Sequence, residues 1–459
     1  MPRYVWLWYM NGMNNELDLV TASREALLAL IAEQQATIGQ LKEQIAVLET
    51  RLGGGSHSGM PGNKTASTPR APRKASRKKR TDGFARVRME PTQQVEYALE
   101  SCPDCGTQLS GGWVARRREV IEIPVAPVEV TEHLVMARVC TACGRRCTPG
   151  LSLQGLVVGK ARLGVNLVSL IVSLREAGRL PLRTIQWYLK TVHQLHLSVG
   201  GISEVIQRVA RQAESEVLQI VERIRASGVV SADETGWRED GVNGYVWSFS
   251  TPTEQYFLRR GRGKEVVDEV LSESFGGVLV SDFYAAYNHY PGLKQRCWAH
   301  LLRDIHELKA LYPKDAKLAR WARSVQMIYK EAKEVAKEVA KALTHPQAHK
   351  RRQAQKRLER KLLACCRPFM DDPIQGKLCR RIERFITELF VFVAVPGVPS
   401  DNNAAERSLR HLVTSRKISG GTRSPKGTNT KMTLASLLGT WKLRGLNPFE
   451  QCRLLLSAT

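Results

Sequence analysis

Two apolar runs in this chain stop at an aspartate, Val229-Val230-Ser231-Ala232-Asp233 and Val278-Leu279-Val280-Ser281-Asp282. Short runs of this kind, rich in valine, read as central strands of a sheet. A central strand that ends on an acid delivers its carboxylate to the sheet edge. A third acidic segment, Asn402-Asn403-Ala404-Ala405-Glu406-Arg407, reads as part of a helix. Three carboxylates gathered this way can hold two divalent metal ions about 4 Å apart, which clamps both oxygens of a phosphoryl transfer.

The charge balance says whose phosphoryl group this is. There are 69 Lys and Arg against 44 Asp and Glu in 459 residues, a net charge of +25. Such a surplus attracts polyanions, so double-stranded DNA is the expected partner. A membrane is not expected, since no apolar run approaches the ~20 residues of a spanning helix. The aromatic start, Tyr4 to Met10, lacks the basic and cleavage regions of a signal peptide. Residues 1–26 are therefore an N-terminal extension, either read from upstream of the true start or disordered. Ten cysteines are too sparse for a disulfide scaffold, and four lie in CxxC pairs, which points to metal binding in a reducing cytoplasm. The expected location is the cytoplasm, at the nucleoid.

A coiled coil is expected over residues 27–52. Ile31, Ile38, Ile45 and Leu52 share one seven-residue spacing, and Leu27, Gln34, Leu41 and Leu48 share the other. Isoleucine and leucine so placed favour a parallel pair of helices, hence a homodimer or higher oligomer. Residues 53–98 read as a basic, disordered linker, since Arg73 to Arg80 and the Gly, Ser and Pro before them cannot bury enough apolar area to fold. Residues 99–150 read as a ribbon-like zinc domain. Cys102-Pro103-Asp104-Cys105 and Cys140-Thr141-Ala142-Cys143 each offer two thiolates from a tight turn, and together they complete a tetrahedral site for one structural zinc ion. Val120 to Pro124 and Val128 to Val130 are the strands expected between them.

Residues 151–227 carry a helical pattern: one helix from Leu163 to Glu176, a second from Leu180-Pro181 to about Lys190, and a third capped by Ser203. The first pair resembles a helix-turn-helix, with Arg183, Gln186 and Lys190 exposed towards DNA. Residues 228–303 form the first part of the catalytic core. Three strands, a helix, the Asp282 strand and a last strand near Gln295 follow one another, an order that resembles a ribonuclease H-like sheet with its first and fourth strands side by side. Residues 304–395 read as a helical insertion, residues 396–425 as the second part of the core, and residues 426–459 as a C-terminal helical segment. Cys297 and His300 read as support for the site rather than as metal ligands, with His300 placed to touch a DNA phosphate.

Four strings now stand together: Ala232-Asp233-Glu234-Thr235-Gly236-Trp237, Ser281-Asp282-Phe283-Tyr284-Ala285-Ala286-Tyr287, Cys297-Trp298-Ala299-His300, and Asn402-Asn403-Ala404-Ala405-Glu406-Arg407-Ser408-Leu409-Arg410. They resemble the transposases of the insertion-sequence 66 family, and the likeness extends over most of the chain past residue 20. The resemblance implies a DDE transposase in which Asp233, Asp282 and Glu406 hold two magnesium ions. It also implies cleavage and strand transfer at terminal inverted repeats, and small companion proteins of the same element. Glu406 rests on this resemblance, with Arg407 and Arg410 beside it for DNA; Arg410 shares its helical face at i, i+4 spacing. Two other readings stay open: an inactive DNA-binding regulator, and a ribonuclease H-like nuclease without strand transfer.

Overall fold

The computed structural model describes residues 90–458 except 124–127, 160 and 341–345, together with residues 32, 34–39 and 43. The N-terminal extension, most of the heptad segment and the linker up to residue 89 lie outside the described residues. The described heptad positions are helical and exposed.

Between the two CxxC turns the expected strands do not form. Residues 120–123 and 128–130 carry no ladder, and the pairing found is β1 (Arg138–Val139) against β2 (Arg146–Cys147), flanking the second knuckle. The physical reason is burial. Val120, Ile121, Ile123 and Val130 are all exposed, and a strand with no apolar face to pack against gains little from pairing.

Four helices follow: α1 (Val165–Glu176), α2 (Leu182–His193), α3 (Val199–Gln212) and α4 (Glu214–Arg225). Ser198, not Ser203, caps the third, its Oγ accepting the Gly201 N–H at 3.0 Å. Ile202, Val205, Ile206 and Val209 form its buried stripe, the spacing that one helical face requires.

The centre is a five-stranded mixed sheet of β3 (Val229–Glu239), β4 (Val242–Ser250), β5 (Gln255–Arg260), β6 (Val278–Ser281) and β7 (Lys294–Arg296), ordered β5-β4-β3-β6-β7. The first three run antiparallel. The β3–β4 turn is Asp240-Gly241, both at positive φ, the pair that tight hairpins favour. After β5, α5 (Glu265–Leu271) crosses over and β6 returns parallel to β3, with Val230 opposite Leu279. All four β6 residues are buried, which explains their unbroken apolar run.

Past β7 comes a layer of helices, six among the described residues: α6 (Trp298–Leu311), α7 (Ala316–Ala340), α8 (Pro346–Cys366), α9 (Gly376–Arg384), α10 (Ile386–Leu389) and α11 (Val391–Ala394). They close their own core of Leu318, Val325, Leu358, Ile382 and Phe390 against Trp298 and Val280. The chain then returns to the sheet as α12 (Asn403–Ser419), α13 (Pro425–Leu443) and α14 (Pro448–Ser457). Helix α13 covers the β5 edge, where the hydroxyls of Ser436 and Thr440 accept the backbone N–H groups of Phe257 and Gln255 at 2.8 and 2.9 Å. Those donors are the ones an edge strand leaves unpaired. The N-terminal helices share one core with this layer: Ile171, Ile185 and Ile202 cluster with Trp247, Phe249 and Leu434. A buried ion pair, Lys431 Nζ to Glu176 Oε2 at 2.8 Å, joins α1 to α13 inside that contact.

Candidate active site

Asp233 does not end its strand, as the sequence pattern led one to expect; β3 continues to Glu239 because β4 pairs with it from Ser231 to Glu239. The edge is set by the shorter neighbour instead. Strand β6 stops at Ser281, so Asp282 lies just beyond it, beside β3. Asp233 lies opposite Ser248 in β4, and Ser248 Oγ is 2.5 Å from Ser408 Oγ on α12. Since cross-strand partners share a face, Asp233 shares the face covered by α12, which carries Glu406 in its first turn.

Asp233 feels the charges of the other two. The half-buried Asp233 carboxyl is pushed up to about 8, first by burial and then by the charges of Glu234, Asp282 and, more weakly, Glu406. The Glu234 N–H, which donates to Asp233 Oδ1 at 3.0 Å, works in the opposite direction. Among the described residues, no three His, Cys, Asp or Glu side chains close to metal-holding distance. Glu406 leans instead towards His300 Nε2 at 3.6 Å and Arg303 at 3.8 Å. Its buried Oε1 still lacks a hydrogen bond, as do Nδ1 of His300 and Oδ1 of the wholly buried Asn402.

A pH dependence follows. The unfolded chain releases the Asp233 proton near pH 4, whereas the folded chain holds it to about 8. Folding therefore binds a proton across that window, and stability falls as pH rises through it. The metal-free protein is expected to be less stable at pH 8 than at pH 5, by roughly a few kcal/mol at most, and to melt at a lower temperature there. Thermal melts in chelator check this, and Asp233→Asn should flatten the profile.

Three residues that sequence reasoning did not select, Asn402, Arg296 and Glu234, stand beside the acids together with Cys297, which it expected to support the site. The Asn402 side chain donates Nδ2 to Ala232 O at 2.7 Å, and its N–H donates to Cys297 Sγ at 3.1 Å. The start of α12 is thus tied to the residue before Asp233. Cys297 therefore acts as a buried acceptor. Arg296, fully buried, donates Nη1 to Asp282 O at 2.7 Å and Nε to Glu388 Oε2 at 2.6 Å. Glu234, turned to the opposite face, accepts from Tyr287 Oη at 2.7 Å and pairs with Arg262 at 3.0 Å. An arginine inside a strand, Gln295-Arg296-Cys297, was the one visible signal, because a buried charge needs a partner.

The remaining expected residues lie apart. Arg407 and Arg410 are exposed on α12, and Arg183 and Lys190 are exposed on α2 around Trp187, which is 61% accessible. Gln186 is not free for DNA, since its amide donates to Leu197 O at 2.8 Å. Each CxxC forms a knuckle by itself: Gly106 and Gly144, at φ +72° and +69°, donate to Cys102 O and Cys140 O at 2.9 and 2.8 Å. Glycine is needed there because the turn enters the left-handed region. The Cys105 thiol is held below its usual range mainly by Thr107, and that of Cys140 by hydrogen bonds around Cys143. The two knuckles are not gathered into one cluster.

The sequence pattern of the family described as Transposase IS66 family matches residues 160–430, more than half of the chain, and the chain belongs to that family. It is also similar to "Uncharacterized protein y4qI" of Sinorhizobium fredii (strain NBRC 101917 / NGR234), 25% identical over 267 residues that cover 50% of this chain and 48% of that protein. A second protein of that organism, "Uncharacterized protein y4jO", is 42% identical over 71 residues, 16% of this chain and 22% of its own length. The chain thus spans about half or less of these relatives. Among the described residues, no helix is long and apolar enough to cross a membrane.

Proposed function

We propose that this chain is a DDE transposase that cleaves DNA at the terminal inverted repeats of an insertion sequence and joins the freed ends to target DNA. The observation that carries this reading is that Asp282, just past the end of β6, and Glu406, in the first turn of α12, both lie near enough to Asp233 on β3 for their charges to raise its carboxyl. The strand order β5-β4-β3-β6-β7 supports a ribonuclease H-like core, and the net charge of +25 supports a nucleic-acid substrate.

The donor set is of a kind that suits divalent metal: three carboxylates, one with its proton held first by burial and then by neighbouring negative charge, and one with an orphaned oxygen. Asp233, Asp282 and Glu406 would hold two magnesium ions, which supply Lewis acidity to the phosphodiester and its attacking oxygen. The protein's own part is positioning. Arg296 fixes the backbone at Asp282, Asn402 fixes the start of α12 against Ala232, and exposed Arg407 and Arg410, with the half-buried His300, stand where the backbone of bound DNA would pass. Arg183 and Lys190 on α2 would add contacts to the transposon end. Cys102, Cys105, Cys140 and Cys143 would close on one zinc ion, and the heptad segment would pair subunits so that two ends are held together. Companion proteins of the same element are a further expected partner.

The test uses a supercoiled plasmid bearing the repeats that flank the gene. Magnesium-dependent nicking followed by joined products is expected from the parent, and neither from Asp282→Asn. Cutting without joining would leave the nuclease reading, and binding without cutting the regulator reading. Elemental analysis should find about one zinc per chain, lost when Cys102 and Cys140 are both changed to serine.

A further inference from the structure

We propose that Arg262 is a preset anchor for one phosphate of the DNA backbone at the rim of the acidic edge. This inference rests on the reading of the chain as an enzyme that acts on DNA. Arg262 lies in the loop between β5 and α5, flanked by Gly261 and Gly263. Both neighbouring carbonyls are pinned by aromatic side chains. Trp247 Nε1 donates to Gly261 O at 2.9 Å, and Tyr284 Oη donates to Arg262 O at 2.5 Å. The guanidinium lies 4.1 Å from the Tyr284 ring centre and 4.9 Å from that of Tyr245. Its Nε and Nη2 reach Glu234 Oε1 at 3.3 and 3.0 Å.

That leaves Nη1 without a hydrogen-bond partner among the described residues, on a side chain still 46% accessible. Glu234, by contrast, is 4% accessible and has Tyr287 as a second donor. An arginine whose only task is to neutralise a buried acid gains from sinking with it. This one keeps an open edge in water while its stem is immobilised, so binding an anion costs little further rotamer entropy.

The position selects the anion. Glu234 follows Asp233 and donates its N–H to that side chain, while the Tyr284 N–H donates to Asp282 Oδ1 at 2.8 Å. Arg262 therefore touches Glu234, next to Asp233, and Tyr284, whose N–H holds the Asp282 side chain. A small free anion is repelled by three carboxylates, whereas a polyanion held along a basic protein can extend one phosphate past them. A DNA strand crossing the sheet edge would meet Arg262 on one side and Arg407 and Arg410 on the other.

The test measures binding of a fluorescent duplex of arbitrary sequence, across a salt series, with calcium in place of magnesium. For Arg262→Gln the slope of log affinity against log salt should fall by about 1, with affinity at low salt down about tenfold on unrelated sequences alike. Arg262→Lys should keep the slope. The double variant Glu234→Gln with Arg262→Gln leaves no buried charge unpaired and must show the same loss even if the single variant folds poorly. An unchanged slope in the double variant overturns the proposal and leaves Arg262 as a counter-ion only. Absence of cleavage by the parent would remove the proposed activity, yet a reduced slope would still establish the phosphate contact.

Discussion

Glu406→Gln is expected to bind DNA as the parent does and to lose metal-dependent cleavage and joining by at least about a hundredfold, since even changes behind a metal ligand cost ten- to a hundredfold. The amide keeps the shape of the side chain and removes only its charge. The fold should not suffer, because the ion pairs lost are long, 3.6 Å to His300 and 3.8 Å to Arg303, and partly in water. Melting temperature should therefore stay within a few degrees while activity falls. Retained cleavage in magnesium would remove Glu406 from the proposed trio. Asp401 would then be the residue to test, as it stands beside the same helix start and accepts the Asn403 N–H at 3.2 Å.

Lys431→Met is expected to destabilise the protein by about 3–5 kcal/mol, the usual cost of removing one member of a buried ion pair. Lys431 and Glu176 have side chains only 6% and 3% accessible, so Glu176 would be left as an uncompensated charge between α1 and α13. His411 lies within the same electrostatic neighbourhood. Its imidazole is pushed down to about 4, first by burial and then by the Lys431 charge. A histidine depressed in the folded state contributes stability that is present above pH 6.5 and lost as pH falls through about 4. Removing Lys431 lifts part of that depression, so the variant's deficit should shrink on acidification as His411 takes up a proton near Glu176. Denaturant midpoints at pH 7 and pH 5 measure both effects. The double variant Lys431→Met with Glu176→Leu should recover most of the loss, because no charge is then buried alone. A single variant as stable as the parent would show that water reaches the pair.

Much of the sheet was legible because its signals are local. Buried parallel β6 reads as an unbroken apolar run, and the meander shows alternation and an Asp-Gly turn. Asp233 and Asp282 stand out because each follows such a run. Glu406 does not: a glutamate in the first turn of a helix looks like any residue that complements the helix dipole, and only the family motif distinguished it. The partners of Asn402 and Arg296 were illegible for another reason. They lie 170 and 92 positions away, at Ala232 and Glu388, and no local pattern encodes a contact at that separation. The strands expected near Val120 and Val128 failed because β propensity describes a residue that fits a half-buried surface, and no such surface adjoins them.

Glu388, on α10, closes the ion pair of Arg296, and Leu389 O accepts the Trp298 indole N–H at 2.5 Å. The six-helix layer is therefore spliced into the wiring behind Asp282 and cannot be treated as a detachable module. A shortened chain that joins β7 directly to α12 would bury a guanidinium with no counter-charge beneath the second aspartate. Trimming this protein to a minimal catalytic unit has to begin elsewhere, and any hybrid that exchanges the helical layer must exchange Arg296 along with it.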